Sequence, residues 1–256
     1  MRMFLFISLF LLQINTLRAQ DLKPFSRIDV QITPWHHLPA LLYLPEKMES
    51  GKRYPLLICF HGRSIAGNDI TKIFRQGVAR QMHEGKKIDA VNKIDKKKYE
   101  FIVLAPLATS WSLGPDHLDV ALTDVLKRYP IDSSRIYVTG YSAGGWSVAM
   151  AVTDPRTARR IAAAVNMSPA TIDDKNLKSF NITAANNIHT WYFGGNEEPV
   201  FLGNCKLYAD STDRYKKGLT KLTTGDFKHC CWEQYYNPSY RENGMNIYEW
   251  LLQYKR

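Results

Sequence analysis

Residues 54–60, 101–105 and 161–167 are near-continuous apolar runs. Runs of this kind belong to strands covered on both faces. Such strands pair in parallel, and parallel pairing needs a long crossover, usually a helix. The stretches between the runs supply crossovers. Residues 73–82 read as helical, and residues 119–129 place Val120, Leu122, Val125 and Leu126 at helical spacing. Further strands are read at 40–44, ended by Pro45, at 136–138 and at 188–193, with a last helix at 246–254. Strands alternating with helices give an α/β fold: a mostly parallel central sheet with helices on both faces. Ligands in such sheets sit at the carboxyl ends of the strands.

The strand at 136–138 runs into Gly140-Tyr141-Ser142-Ala143-Gly144, and a small-residue, apolar stretch follows over 145–152. The form G-x-S-x-G arises readily by chance; a strand before it and a helix after it give it meaning. A serine on a sharp strand-to-helix turn presents its hydroxyl above the sheet, and small neighbours let strand, turn and helix pack closely. The helix start aims N–H groups at any oxyanion formed beside the serine. The amide of Ala143 is one expected donor. The loop Phe60-His61-Gly62-Arg63-Ser64, after an earlier strand, is expected to supply the second through the amide of Arg63. His61 reads as a brace for that loop.

A serine hydroxyl is a weak nucleophile at neutral pH. It needs a base within hydrogen-bond reach, and the base needs an acid to hold its tautomer. Two histidines follow Ser142. His189 lies inside an apparent strand. His229 sits in a polar-to-aromatic loop ahead of the last helix and is the candidate base. The acid is expected after the strand ending at Phe193, where Glu197 and Glu198 stand side by side. Loop geometry alone does not choose between them. Asp210 and Asp213 fall in a later helical stretch and read as solvated. Trp111 and Trp146 lie near strand ends, where each either stacks on a sugar or aryl acid of a substrate or packs in the rim.

Met1-Arg2-Met3, an apolar core over 4–12 and Leu17-Arg18-Ala19-Gln20 read as a secretory signal peptide over residues 1–19. The apolar core is too short to span a bilayer comfortably. A secreted or periplasmic protein without a stable membrane anchor is expected, with residues 20–256 as one catalytic domain. The formal net charge is +10, with the positive residues scattered and no aromatic-interleaved basic patch. Nucleic acid is therefore not an expected partner, whereas acidic polymers or anionic cell-surface material suit the surplus. The lysine-rich stretch 86–98 reads as a solvated connection. Cys59 reads as a buried free thiol. Export permits a disulfide, expected between Cys205 and either Cys230 or Cys231. The cysteine spacing matches no zinc pattern, and neither a metal nor an organic cofactor is expected.

Longer matches carry a resemblance. Tyr54-Pro55-Leu56-Leu57-Ile58-Cys59-Phe60-His61-Gly62 is similar to Y-P-L-x-x-x-x-H-G, and Gly67-Asn68-Asp69 to a following G-x-D. Asp132-Ser133-Ser134-Arg135-Ile136-Tyr137-Val138-Thr139-Gly140-Tyr141-Ser142-Ala143-Gly144-Gly145 is similar to D-x-x-R-I-Y-x-x-G-x-S-x-G-G. Over about residues 41–256 the chain resembles the single-domain secreted esterases of the α/β-hydrolase superfamily. These are the feruloyl-esterase, acetyl-xylan-esterase and polyhydroxybutyrate-depolymerase-like proteins, with the related phospholipase/carboxylesterase and "predicted peptidase" groups. The resemblance implies an α/β-hydrolase fold and ester hydrolysis through an acyl-enzyme on Ser142. It sets Gly194-Gly195-Asn196-Glu197-Glu198-Pro199-Val200 against H-G-x-x-D-x-x-V, which places Gly194 at the histidine and Glu198 at the aspartate, and so selects Glu198 as the acid. Lys228-His229-Cys230-Cys231-Trp232 is similar to G-H-x-x-W and supports His229. The family's G-E-R-G is here Ser64-Ile65-Ala66-Gly67. No long insertion interrupts the pattern, so no large lid is expected. The expected partner is an ester on carbohydrate or other extracellular material. Two other readings share these residues: a serine peptidase of the same superfamily, and an inactive α/β-hydrolase serving as a binding module, which the altered acid loop favours.

Overall fold

The computed structural model describes residues 21–230 and 232–256; the expected signal peptide lies outside the described residues. In chain order the strands are β1 (Ser26–Gln31), β2 (His37–Tyr43), β3 (Tyr54–Phe60), β4 (Ala90–Val91), β5 (Lys98–Tyr99), β6 (Ile102–Pro106), β7 (Ile131–Tyr141), β8 (Ala163–Met167), β9 (His189–Gly195) and β10 (Thr220–Gly225). The helices are α1 (Gly77–His83), α2 (Pro115–Arg128), α3 (Ala143–Thr153), α4 (Pro155–Ala158), α5 (Asp174–Leu177), α6 (Phe180–Ala185), α7 (Pro199–Asp213), α8 (Glu233–Tyr236) and α9 (Ile247–Leu251).

The main sheet has the order β1-β2-β6-β3-β7-β8-β9-β10. β1 and β2 pair antiparallel, as do β2 and β6; every pair from β6 onward is parallel. The apolar runs explain this. In β3, Leu56, Ile58 and Phe60 face one layer and Leu57 the other, and all four are buried. One layer packs α2, α3, α6 and α7 on the sheet through residues such as Leu122, Val148, Phe180 and Tyr208. The opposite layer packs α1, α8 and α9 through Val78, Tyr236 and Tyr248. With helices on both sides, neither face of the central strands can be polar.

Several sequence expectations need correction. The helix read over 73–82 is two pieces, a 3-10 segment Ile70–Arg75 and α1, separated at Gln76; Gly77 opens α1 with φ +77°, a conformation glycine alone adopts freely. The lysine-rich connection is partly folded: β4 and β5 pair antiparallel, and Ile88 and Ala90 turn inward. Cys205 is not in a disulfide. It is a free, fully buried thiol on α7 whose Sγ donates to the Phe193 carbonyl at 3.3 Å. Its place against β9 leaves it in the core. Cys230 is disulfide-bonded, and Cys231 lies outside the described residues. Cys59 is a free thiol, as expected, but only partly buried. Among the described residues no helix is long and apolar enough to cross a membrane.

Candidate active site

The carboxyl ends of β3, β7, β8 and β9 converge on one edge of the sheet. Ser142 is the first residue past β7 and the N-cap of α3, with φ +56° and ψ −118°. A non-glycine residue held there stores roughly 1–3 kcal/mol of backbone strain. Its surroundings fix it in place. A Cβ on Gly140 would lie 2.4 Å from the Gly144 carbonyl oxygen, and one on Gly144 would lie 2.2 Å from the Phe60 carbonyl oxygen. The two glycines of the G-x-S-x-G stretch are thus set by close backbone approach, both within the turn and to the end of β3. The Ser142 side chain does not cap α3, which leaves its hydroxyl free.

Three loops bring partners to that hydroxyl. His229, in the loop after β10, places Nε2 2.8 Å from Ser142 Oγ. Its Nδ1 lies 2.6 Å from Glu198 Oε2. An ionised carboxylate only accepts, so Nδ1 carries the proton and Nε2 is left to accept from the serine. Glu198 is buried at the N-terminus of α7, where helix N–H groups favour an anion. Its Oε1 accepts from the Gly195 amide at 2.7 Å and from the Ser168 hydroxyl. Phe201, one turn into α7, stacks on the His229 ring at 3.5 Å and 16°. The neighbouring Glu197 is exposed, and its amide donates to the Phe227 carbonyl. The structure therefore brings Glu198, and not Glu197, to His229.

One partner of Glu198, Ser168, and the residue behind it, Trp232, were not found as such from the sequence. Ser168 follows β8 with φ +44° and is fully buried; its amide donates to the Phe193 carbonyl at 2.7 Å. Trp232 Nε1 donates to Ser168 Oγ at 3.0 Å, and the Trp232 ring stacks on Tyr141 at 4.7 Å, beside the serine. A polar residue directly after a strand, at the edge where ligands bind, was the available signal for Ser168.

Ala143 is the first residue of α3 and Arg63 the first of a 3-10 turn, Arg63–Ile65. First-turn N–H groups have no acceptor within their own helix, so both amides are available at the edge. The loop before Arg63 is rigid. Ala108 N–H donates to His61 Nε2 at 2.9 Å, and His61 Nδ1 meets the Gly62 carbonyl at the same distance. Burial holds the His61 pKa below its usual value, only partly offset by the Gly62 carbonyl, so the ring is a neutral brace. A Cβ on Gly62 would lie 3.6 Å from Ser142 Cβ, which puts this loop directly against the serine. Of the two tryptophans, Trp146 sits one turn into α3 and packs partly on the core, while half-buried Trp111 lies under the Arg63 guanidinium. His189 starts β9 at the opposite end of the sheet and stacks on Tyr254 at 4.0 Å. Among the described residues no group of three or more His, Cys, Asp or Glu side chains is placed to hold a metal ion.

No family model matches the chain, and no curated protein matches its sequence. Solved structures do match. A thermostable esterase superposes with a TM-score of 0.63 at 20% identity, over 92% of this chain and 64% of the esterase. The acylaminoacyl peptidase of Pyrococcus horikoshii gives 0.55 at 12% identity, over 80% of this chain and 38% of the peptidase. A puromycin-hydrolyzing peptidase of Mycobacterium tuberculosis gives 0.56 at 14% identity, over 79% and 36%. The chain has the α/β-hydrolase fold. It spans just under two thirds of the esterase and little more than a third of each peptidase. Within the α/β-hydrolase fold Ser142 occupies the strand-to-helix elbow after β7, and the chain order serine, acid, histidine is the order of that fold's triad.

Proposed function

We propose that the protein is a serine-dependent carboxylic ester hydrolase that works through an acyl-enzyme. The observation that carries this reading is the unbroken relay from Ser142 Oγ through both nitrogens of His229 to Glu198. As Ser142 attacks the ester carbonyl, His229 Nε2 takes the hydroxyl proton. Glu198 holds the Nδ1–H tautomer and stabilises the imidazolium. The amides of Ala143 and Arg63 meet the oxyanion, a contribution of about 3–4 kcal/mol for each donor in such sites. The imidazolium then protonates the departing alcohol, and a water repeats the sequence to release the acid.

The ester assignment rests on the resemblance to secreted single-domain esterases and on the similarity to the thermostable esterase over nearly all of this chain. The expected substrates are esters on carbohydrate or other extracellular material, reached from a secreted or periplasmic location. A fluorophosphonate probe tests the chemistry. The folded protein is expected to label at Ser142, and Ser142→Ala to lose both label and 4-nitrophenyl acetate turnover. Absence of labelling in the folded protein would leave only a binding module. Cleavage of acyl-peptides faster than of matched esters would move the assignment to the peptidases.

A further inference from the structure

The Arg63 side chain is a charged group beside the serine that the relay does not use. It is exposed, and its guanidinium lies 5.7 Å from the centroid of the Trp111 ring. Among the described residues no carboxylate pairs with it. Both members of this couple are anchored. Arg63 follows Gly62, which abuts Ser142, and its loop is braced by His61. Trp111 lies between two fixed points of its own loop: Ala108, tied to His61, and Ser112, whose hydroxyl accepts from Ser147 on α3 at 2.7 Å.

Basic groups outnumber acidic ones on the stretch that follows Arg63. Lys72 and Arg75 follow on the adjacent 3-10 segment, while Asp69, the nearest acid on that stretch, is tied to Thr71 by both its amide and its hydroxyl. Glu198 is committed to His229. Exposed Glu197 follows β9, three strands from β3, roughly 14 Å away at the usual strand spacing. A guanidinium offers two parallel N–H groups to a carboxylate, and an indole offers a flat face to a sugar ring.

We propose that Arg63 and Trp111 form a subsite for a uronic-acid residue, so that the preferred substrates are esters on acidic glycans. The exposed guanidinium moves off the indole to take the carboxylate, and the Trp111 face it uncovers carries the ring, next to the scissile carbonyl. This rests on the ester-hydrolase reading for its catalytic meaning, but the binding itself does not need turnover.

Two measurements test it. Calorimetry on the Ser142→Ala protein compares an oligogalacturonide with a neutral oligoglucoside of equal length. Kinetics on the intact protein compare O-acetylated methyl glucuronoside with O-acetylated methyl glucoside. The uronide is expected to be favoured about 10-fold in both, the range of an exposed charge-assisted hydrogen bond. The preference is expected to fall with added salt. Arg63→Ala is expected to bring the ratio near one, and Arg63→Lys to keep part of it. Equal binding of the two oligomers, or a ratio unchanged in Arg63→Ala, overturns the subsite. If the uronide binds through Arg63 while the fluorophosphonate leaves Ser142 unlabelled, the subsite stands and the hydrolase reading fails; labelling with no charge preference gives the reverse.

Discussion

Replacing Glu198 with glutamine changes one atom and sets three donors against it. Oε1 accepts from the Gly195 amide and the Ser168 hydroxyl, and Oε2 accepts from His229 Nδ1. A glutamine has one accepting oxygen and one donating nitrogen. The Gly195 N–H is fixed in the backbone, so the amide oxygen goes to it and the NH2 faces His229. The imidazole then holds its proton on Nε2 and presents a donor to Ser142, the wrong tautomer for a base. A reversed tautomer in such a triad lowers kcat by about 10⁴, or some 5 kcal/mol of barrier. Glu198→Gln is therefore expected to hydrolyse 4-nitrophenyl acetate roughly 10⁴-fold more slowly, with KM nearly unchanged. Glu197→Gln, at an exposed carboxylate beside the one that pairs with His229, is expected to stay within about twofold, as surface changes usually do. Circular dichroism confirms that both are folded. If Glu198→Gln keeps more than a tenth of the activity, or the two variants fall equally, the tautomer argument is wrong.

Ser168→Ala removes a donor to Glu198 and leaves the Trp232 indole N–H without its acceptor; a fall in kcat of about 10- to 100-fold with little change in KM is expected, and a change confined to stability would refute the positioning role. Gly144→Ala would drive a Cβ to 2.2 Å from the Phe60 carbonyl oxygen, so chemical denaturation should show a loss beyond about 4 kcal/mol or no folded protein at all. His61 takes up a proton less readily when folded than its ordinary 6.5, so the unfolded chain binds more protons just below that pH. Burial, aided by Lys216, shifts His189 the same way. Stability is expected to fall as pH drops below about 6.5, and His61→Gln to flatten the plot of Tm against pH between 7 and 5; an unchanged slope would refute the assignment. Burial pushes the Cys59 and Cys205 thiols well up, so mass spectrometry should find both alkylated by iodoacetamide only after unfolding.

The central strands were legible because burial on both faces leaves a run with few or no polar residues. The run over 54–60 matches β3 at both ends. The edges were not legible for the same reason. β1 and β10 lie at the two ends of the sheet, with Arg27, Asp29, Lys221 and Thr223 among their residues, and pairing on one side holds a strand that composition does not announce. β7 extends back to Ile131 through Asp132, Ser133 and Ser134, whose polar side chains give no strand signal ahead of the strand read at 136–138. The serine and the histidine could be found because chain order and strand ends restrict them to few positions. Between Glu197 and Glu198, by contrast, the residues were silent, because adjacent side chains on a loop point in directions set by the next helix. Cysteine spacing does not show that Cys205 faces the core from α7, where burial keeps it from a disulfide partner.

The acid loop departs at two positions from the H-G-x-x-D-x-x-V pattern that it resembles, and the packing ties the two together. Position 194 is glycine where that pattern has histidine. A Cβ there would lie 2.9 Å from Leu202 Cδ1 and 3.2 Å from Cys205 Sγ, so α7 lies hard against β9. Gly195 is tighter still, with 2.1 Å between a would-be Cβ and the Phe227 carbonyl oxygen, which ties the acid loop to the loop that carries His229. Glu198 leaves the chain at the start of α7 and must reach both back to the Gly195 amide and across to His229 Nδ1. An aspartate at that Cα is one methylene shorter and would keep one contact and lose the other. Glu198→Asp alone is then expected to lose activity although it restores the aspartate of the pattern that the loop resembles. A Glu198→Asp protein with full activity would show that the added reach is not needed, and that the glycine and the glutamate changed independently.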